Sequence, residues 1–168
     1  MSVEEHKRHA ESLGPMNCTV LTLSDAKTEK DDLSGRIMID LLSQAGHKVV
    51  NYRVIPNDPE VVRSAIEDEL KGEVDIVLTT GGTGLSRRDS TIEVVTPLLD
   101  KVLPGFGELF RVLSYNQVGS AALLSRALLG LAKGRVIACL PGSPQAVELA
   151  LKELIIPELK HLIREARR

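Results

Sequence analysis

The chain has 168 residues, 43% hydrophobic and 26% charged, with 21 Lys and Arg against 23 Asp and Glu. That length suits one domain burying about 70% of its unfolded surface without disulfide or metal staples. A net charge of −2 and 2% aromatic residues, with no Trp, exclude a general nucleic-acid binder, which needs a basic surface and stacking platforms.

Residues 1–15 are polar and charged and read as an extension preceding a single domain at 16–168. MNCTVLTL (16–23) predicts a strand rich in β-branched residues. SGRIMIDLLSQAGH (34–47) predicts a helix with Ile37, Leu41 and Leu42 on one stripe and Gly46 at its stop. KVVNYRVI (48–55) is a second strand, and Pro59 to Leu70 a second helix with Pro at its first turn. VDIVLTT (74–80) is the third strand. STIEVVTPLLDKV (90–102) carries a helix that Pro97 should end or bend. Residues 103–120 are less regular and read as loop, helix and loop. RALLGLAKGRVIACL (126–140) predicts a hairpin around Lys133-Gly134, and the remaining residues a helix restarted at Pro157.

This alternation predicts a three-layer αβα sandwich on a mainly parallel sheet, with one antiparallel strand from the hairpin. No apolar run is long enough to cross a bilayer and no signal segment opens the chain, so a cytoplasmic protein without a membrane partner is expected. Cys18 and Cys139 each lie in an apolar strand and read as reduced core thiols. His6, His9, His47 and His161 lack metal-site spacing.

In a parallel sheet the strands' C-terminal ends share one edge, where ligands bind. The residues following the strands are Ser24-Asp25, Pro56-Asn57-Asp58, Gly81-Gly82-Thr83-Gly84 and Pro141-Gly142-Ser143-Pro144. The glycines let backbone N–H groups approach an anion, and two readings stand: a phosphate cradle or a tight turn. The loop is neither a Walker A motif nor GxGxxG. Ser90 to Glu93 spells a capping box, which would leave Asp89 on the rim without a structural task. Asp58 and Ser143 each precede a Pro and suit helix caps. Asp31, Asp32 and Ser34 suit caps of the first helix. Arg87 and Arg88 fit phosphate pairing or a solvated face. Glu108 and Arg111 stand at helical spacing and could pair with each other.

The succession LTLSD (21–25), DDLSG (31–35), LTTGGTGLSRRD (78–89), PGFGELFR (104–111), SRAL (125–128) and LPGSPQAV (140–147) resembles the MogA/MoaB family of molybdenum cofactor biosynthesis. The resemblance runs from about Asn17 to Leu162. It implies a molybdopterin-binding domain that forms a homotrimer or homohexamer. It also implies an enzyme that adenylylates molybdopterin from Mg-ATP and releases pyrophosphate. By motif, Asp58 and Asp89 become the catalytic carboxylates and the Mg²⁺ ligands. Ser24, Asp25, Thr80, Gly81, Gly82, Thr83, Gly84, Glu108, Arg111, Ser125, Pro141, Gly142, Ser143 and Pro144 become substrate-binding residues for ATP or molybdopterin. The alternative implied by the same resemblance is a carrier oligomer of MoaB type that holds molybdopterin, or a precursor, without turnover.

Overall fold

Residues 12–168 are described by a computed structural model. The larger part of the N-terminal extension, with His6 and His9, lies outside the described residues. The strands are β1 (Asn17–Leu23), β2 (Lys48–Ile55), β3 (Ile76–Thr80), β4 (Lys101–Val102), β5 (Leu128–Ala132) and β6 (Arg135–Leu140). The helices are α1 (Leu33–Gln44), α2 (Pro59–Lys71), α3 (Thr91–Val95), α4 (Pro104–Val118), α5 (Pro144–Ala150) and α6 (Ile156–Ala166). One six-stranded sheet forms in the order β2-β1-β3-β6-β5-β4. β2, β1, β3 and β6 pair in parallel, while β5 runs against both β6 and β4.

Side-chain alternation along the strands builds the three layers. In β6, Val136, Ala138 and Leu140 face one apolar cluster; Ile137 and Cys139 face the other. β3 divides likewise, Ile76 and Leu78 against Val77. The first cluster packs α1, α4, α5 and α6 through Met38, Phe110, Val147, Leu151 and Leu159. The second packs α2 and α3 through Val62, Ile66, Val94 and Val95. Both cysteines are buried and free, and burial pushes each thiol up to about 12, so neither is reactive at neutral pH.

Most predicted elements stand where expected. On α1, Met38 and Leu42 are fully buried, whereas Ile37 and Leu41 only flank the core. Pro97 ends α3 and opens a 3₁₀ turn at Thr96–Leu98. The Lys133-Gly134 turn has both φ positive, 51° and 71°, as a two-residue hairpin requires. Pro157 is absorbed without breaking the last helix. The Ile156 N–H reaches Leu151 O in a π-turn spanning Leu151–Ile155, which spares the missing proline donor. Two expectations need correction. Residues 104–118 form one continuous helix rather than loop, helix and loop, and its Gly107 brings Ala127 O close, where a Cβ would stand 3.1 Å away. The pair Lys101–Val102 joins the sheet edge as a two-residue strand too short to show any alternation.

At the opposite edge from the glycine loop, His47 is 8% exposed and its Nδ1 accepts the Met16 N–H at 3.2 Å. That bond needs an unprotonated nitrogen. Burial, then Lys160, lowers the His47 pKa below 6.5, with Asp75 opposing. The folded chain therefore takes up the proton less readily than the unfolded chain. The stabilisation is complete above the unfolded value and is lost as pH falls below it. Denaturant titrations from about pH 7 to about pH 5 should show this decline, and His47→Gln should flatten it.

Candidate functional site

The strand order reverses between β1 and β3. β2 lies outward of β1 on one side, and β3 and β6 lie on the other. Such a switch point opens a crevice at the C-terminal edge. Four loops meet there, following β1, β2, β3 and β6.

Three of these loops are joined in a closed triangle. Asp25 Oδ1 accepts the Asn57 N–H at 3.0 Å, and Asp25 Oδ2 pairs with Arg88 at 3.1 Å. The Asn57 side chain closes the figure by donating from Nδ2 to Arg88 O at 3.1 Å. Asp58 and Asp89 are the next residues along the chain from two corners of this triangle. It therefore holds the two carboxylates on neighbouring loops. Asp58 caps α2, accepting from the N–H groups of Glu60 and Val61 at 3.0 and 3.1 Å. Asp89 folds over its own turn, accepting the Ser86 N–H at 3.2 Å. Among the described residues neither forms an ion pair, so each keeps lone pairs for a cation.

The expected capping box is not formed. Ser90 makes no side-chain cap bond, and Glu93 turns instead to Arg126. Asp89 consequently has a structural contact of its own, which spacing alone did not reveal.

The glycine loop is held from behind. Gly81 O accepts the Thr91 hydroxyl and Gly82 O the Thr91 N–H, both at 3.0 Å. Thr83 O and Gly84 O accept Nε and Nη2 of Arg126, both at 2.8 Å. In a trans peptide the N–H points away from its carbonyl. Every carbonyl from 81 to 84 is bound, while the N–H groups of 82 to 85 meet no protein acceptor among the described residues. Gly81 and Gly82 have φ of 101° and 65°, which side chains resist. At Gly82 a Cβ would stand 2.5 Å from Asn57 Oδ1, itself a buried acceptor without a hydrogen-bond partner.

The turn after β6 packs onto this loop. Thr80 donates to Pro141 O at 2.9 Å and Ser34 to Gly142 O at 2.8 Å. A Cβ on Gly142 would lie 3.4 Å from Gly81 Cα. Ser143 caps α5 by accepting the Ala146 N–H, with Pro144 at the first helical position. Asp32 caps α1, accepting from Gly35 N–H and from the Tyr52 hydroxyl. Ser24 bends its loop by accepting from Ala26 and Lys27 N–H groups. Thr83 is buried beneath the loop.

Other expected residues stand further out. Glu108 is exposed on α4 and makes no pair with Arg111 among the described residues. Arg111 lies across Gly107, its guanidinium 3.1 Å from where a Cβ on that glycine would stand. Ser125 is half-buried, next to the same arginine. Arg126 itself was not singled out from the sequence, although it lies inside the SRAL stretch. One arginine among many carries no signal until its carbonyl partners are known. No group of three or more acidic, histidine or cysteine side chains forms a metal cage among the described residues. Two hard carboxylate oxygens on one rim do suit Mg²⁺, which takes most of its ligands from phosphate and water.

The family model described as "Probable molybdopterin binding domain" matches residues 19–161. The chain belongs to this family of molybdenum cofactor biosynthesis proteins. It is 47% identical to molybdenum cofactor biosynthesis protein B of Bacillus cereus, over 100% of this chain and 99% of that one. Its identity to a molybdopterin adenylyltransferase of Pyrococcus furiosus is 44%, over 99% of both chains. The crystal structure of tungsten cofactor synthesizing protein MoaB from the same organism superposes with a TM-score of 0.86. It has 42% identity and covers 94% of this chain and 100% of that one. The layered fold and its rim of loops are thus those of the MoaB/MogA structures.

Gly82→Val should cost at least about 2 kcal/mol, from a β-branched residue at positive φ and a clash with Asn57. Chemical unfolding midpoints against wild type measure this, and an unchanged midpoint would contradict the packing described.

Proposed function

We propose that this chain is a molybdopterin adenylyltransferase, transferring AMP from Mg-ATP to the terminal phosphate of molybdopterin and releasing pyrophosphate. The observation carrying this reading is the loop after β3. Among the described residues, four consecutive N–H groups stand unbound beside two carboxylates that have no cationic partner. The relative from P. furiosus that bears the name of this activity supports it.

The chemistry asks little of side chains as bases. A phosphate monoester, with a second pKa of about 6, is largely ionised at neutral pH, so the nucleophile needs no deprotonation. One of its oxygens attacks the α-phosphorus of ATP. The bond from that phosphorus to the bridging oxygen of the β-phosphate breaks, and pyrophosphate leaves with the electron pair. The loop amides bind anionic oxygens and keep the reacting groups aligned. Arg87, exposed and without an ion pair among the described residues, is free to meet the triphosphate. Arg88 is not, being held by Asp25. Asp58 and Asp89 are the residues that would hold Mg²⁺, whose contribution when bound is to neutralise phosphate charge. The Pro141–Ser143 turn, packed on the glycine loop, offers the neighbouring surface to molybdopterin.

Copies of the chain associate, in this proposal, through α4 and the turn after it. Val112, Tyr115 and Val118 recur every third residue on the exposed side of α4, and Leu123 follows at 83% exposure. A continuous apolar stripe of this kind marks an interface. Sedimentation velocity should give a trimer or hexamer for wild type and smaller species for Leu123→Glu.

The catalytic assignment is tested with Asp89→Asn. Its amide oxygen still accepts from Ser86 N–H, so melting should change little while turnover falls at least about 100-fold. The assay follows pyrophosphate and adenylylated molybdopterin from both purified substrates. Retained specific activity in the variant would remove Asp89 from the mechanism. Tight molybdopterin binding by wild type without any pyrophosphate would favour the carrier.

A further inference from the structure

We infer that Arg126 is a positioning residue that orients the Gly84 and Leu85 amides toward substrate phosphate by binding the carbonyls of Thr83 and Gly84 from the opposite side. This deepens the adenylyltransferase reading and rests on it.

An arginine beside a glycine loop ordinarily suggests a direct phosphate ligand. Here the donor inventory points to a different role. Of the five guanidinium N–H groups, one from Nε goes to Thr83 O and one from Nη2 to Gly84 O, both at 2.8 Å. Two more go to the carboxylate of Glu93, from Nη1 to Oε1 and from Nη2 to Oε2. Four of the five are spent within the protein. The pairing also holds the Glu93 carboxyl below its ordinary range, the hydrogen bond from Arg126 being the largest cause. Glu93 thus cancels the charge and fixes the plane of the guanidinium.

The consequence follows from peptide geometry. Thr83 O belongs to the same planar unit as Gly84 N–H, and Gly84 O to the same unit as Leu85 N–H. Pinning the two carbonyls points the two donors the other way. Glycine at 84 would otherwise let these planes rotate, since it lacks the steric restriction of other residues. Thr91 performs the same service one step earlier, for the carbonyls of Gly81 and Gly82. A lysine could not replace Arg126. A single ammonium cannot bridge two successive carbonyls and a carboxylate in one plane.

The test compares wild type with Arg126→Ala, Arg126→Lys and Glu93→Gln. It measures melting temperature, Mg-ATP binding by calorimetry, and kcat and KM for both substrates. For Arg126→Ala, the Mg-ATP Kd should rise at least about tenfold in protein that is still folded at the assay temperature. Millimolar ethylguanidinium should restore part of the binding. Arg126→Lys should remain defective, and Glu93→Gln should show a smaller loss of the same kind. A residue needed only for stability would lower the melting temperature while leaving Kd and KM of the folded protein unchanged, and that result would overturn the inference. So would full activity in the Lys variant, which decides the matter if Arg126→Ala fails to fold. Wild type that binds no Mg-ATP would instead overturn the adenylyltransferase reading, and the inference with it.

Discussion

The orientation of four peptide planes, those joining residues 81 to 85, is the constraint on which the candidate site depends. A flexible glycine loop can point its amides anywhere, and ordering it costs conformational entropy. Here that cost is met before any ligand arrives. Thr91 and Arg126 occupy all four carbonyls, so the donors point to the opposite side of each peptide plane, where they meet no protein acceptor among the described residues. Preorganised dipoles of this kind stabilise charge without reorganising at the moment of reaction.

The same logic governs the two carboxylates. Negative groups on adjacent loops repel, and burial would raise the cost of ionising them. The fold keeps both near solvent and, among the described residues, gives them only backbone N–H partners. It uses a third acid, Asp25, as the cross-brace, so that Arg88 neutralises Asp25 and, among the described residues, leaves Asp58 and Asp89 without a cation. The observed bonds of Asp25 brace one loop against two others.

Local signals succeeded where the physics is local. The hairpin turn at Lys133-Gly134, the Pro59 helix start, the Gly46 stop and the strand at 48–55 all follow from backbone preferences or alternation within a few residues. They failed where a distant partner decides. The box from Ser90 to Glu93 matched a capping pattern, yet Glu93 was claimed by Arg126 from across the loop. Residues 103–120 read as loop, helix and loop. Packing of Phe106 and Phe110 into the core holds them as a helix nonetheless. Lys101–Val102 is a strand only because β5 offers it an edge.

The amino-acid sequence by itself determined the layered class, nearly all element positions, and the identity of the loops that end each parallel strand. Those properties reside in hydrophobic period, propensity and turn chemistry, which act over short stretches. Only the tertiary structure decided which groups on the rim are free to act. It tied Asp25 to Asn57 and Arg88, spent Arg126 on the glycine loop and Glu93, and left the loop amides without a protein acceptor and two carboxylates without an ion pair among the described residues. Hydrogen-bond partners 31 to 43 positions apart are set by how strands stack into a sheet, and no local pattern encodes that competition.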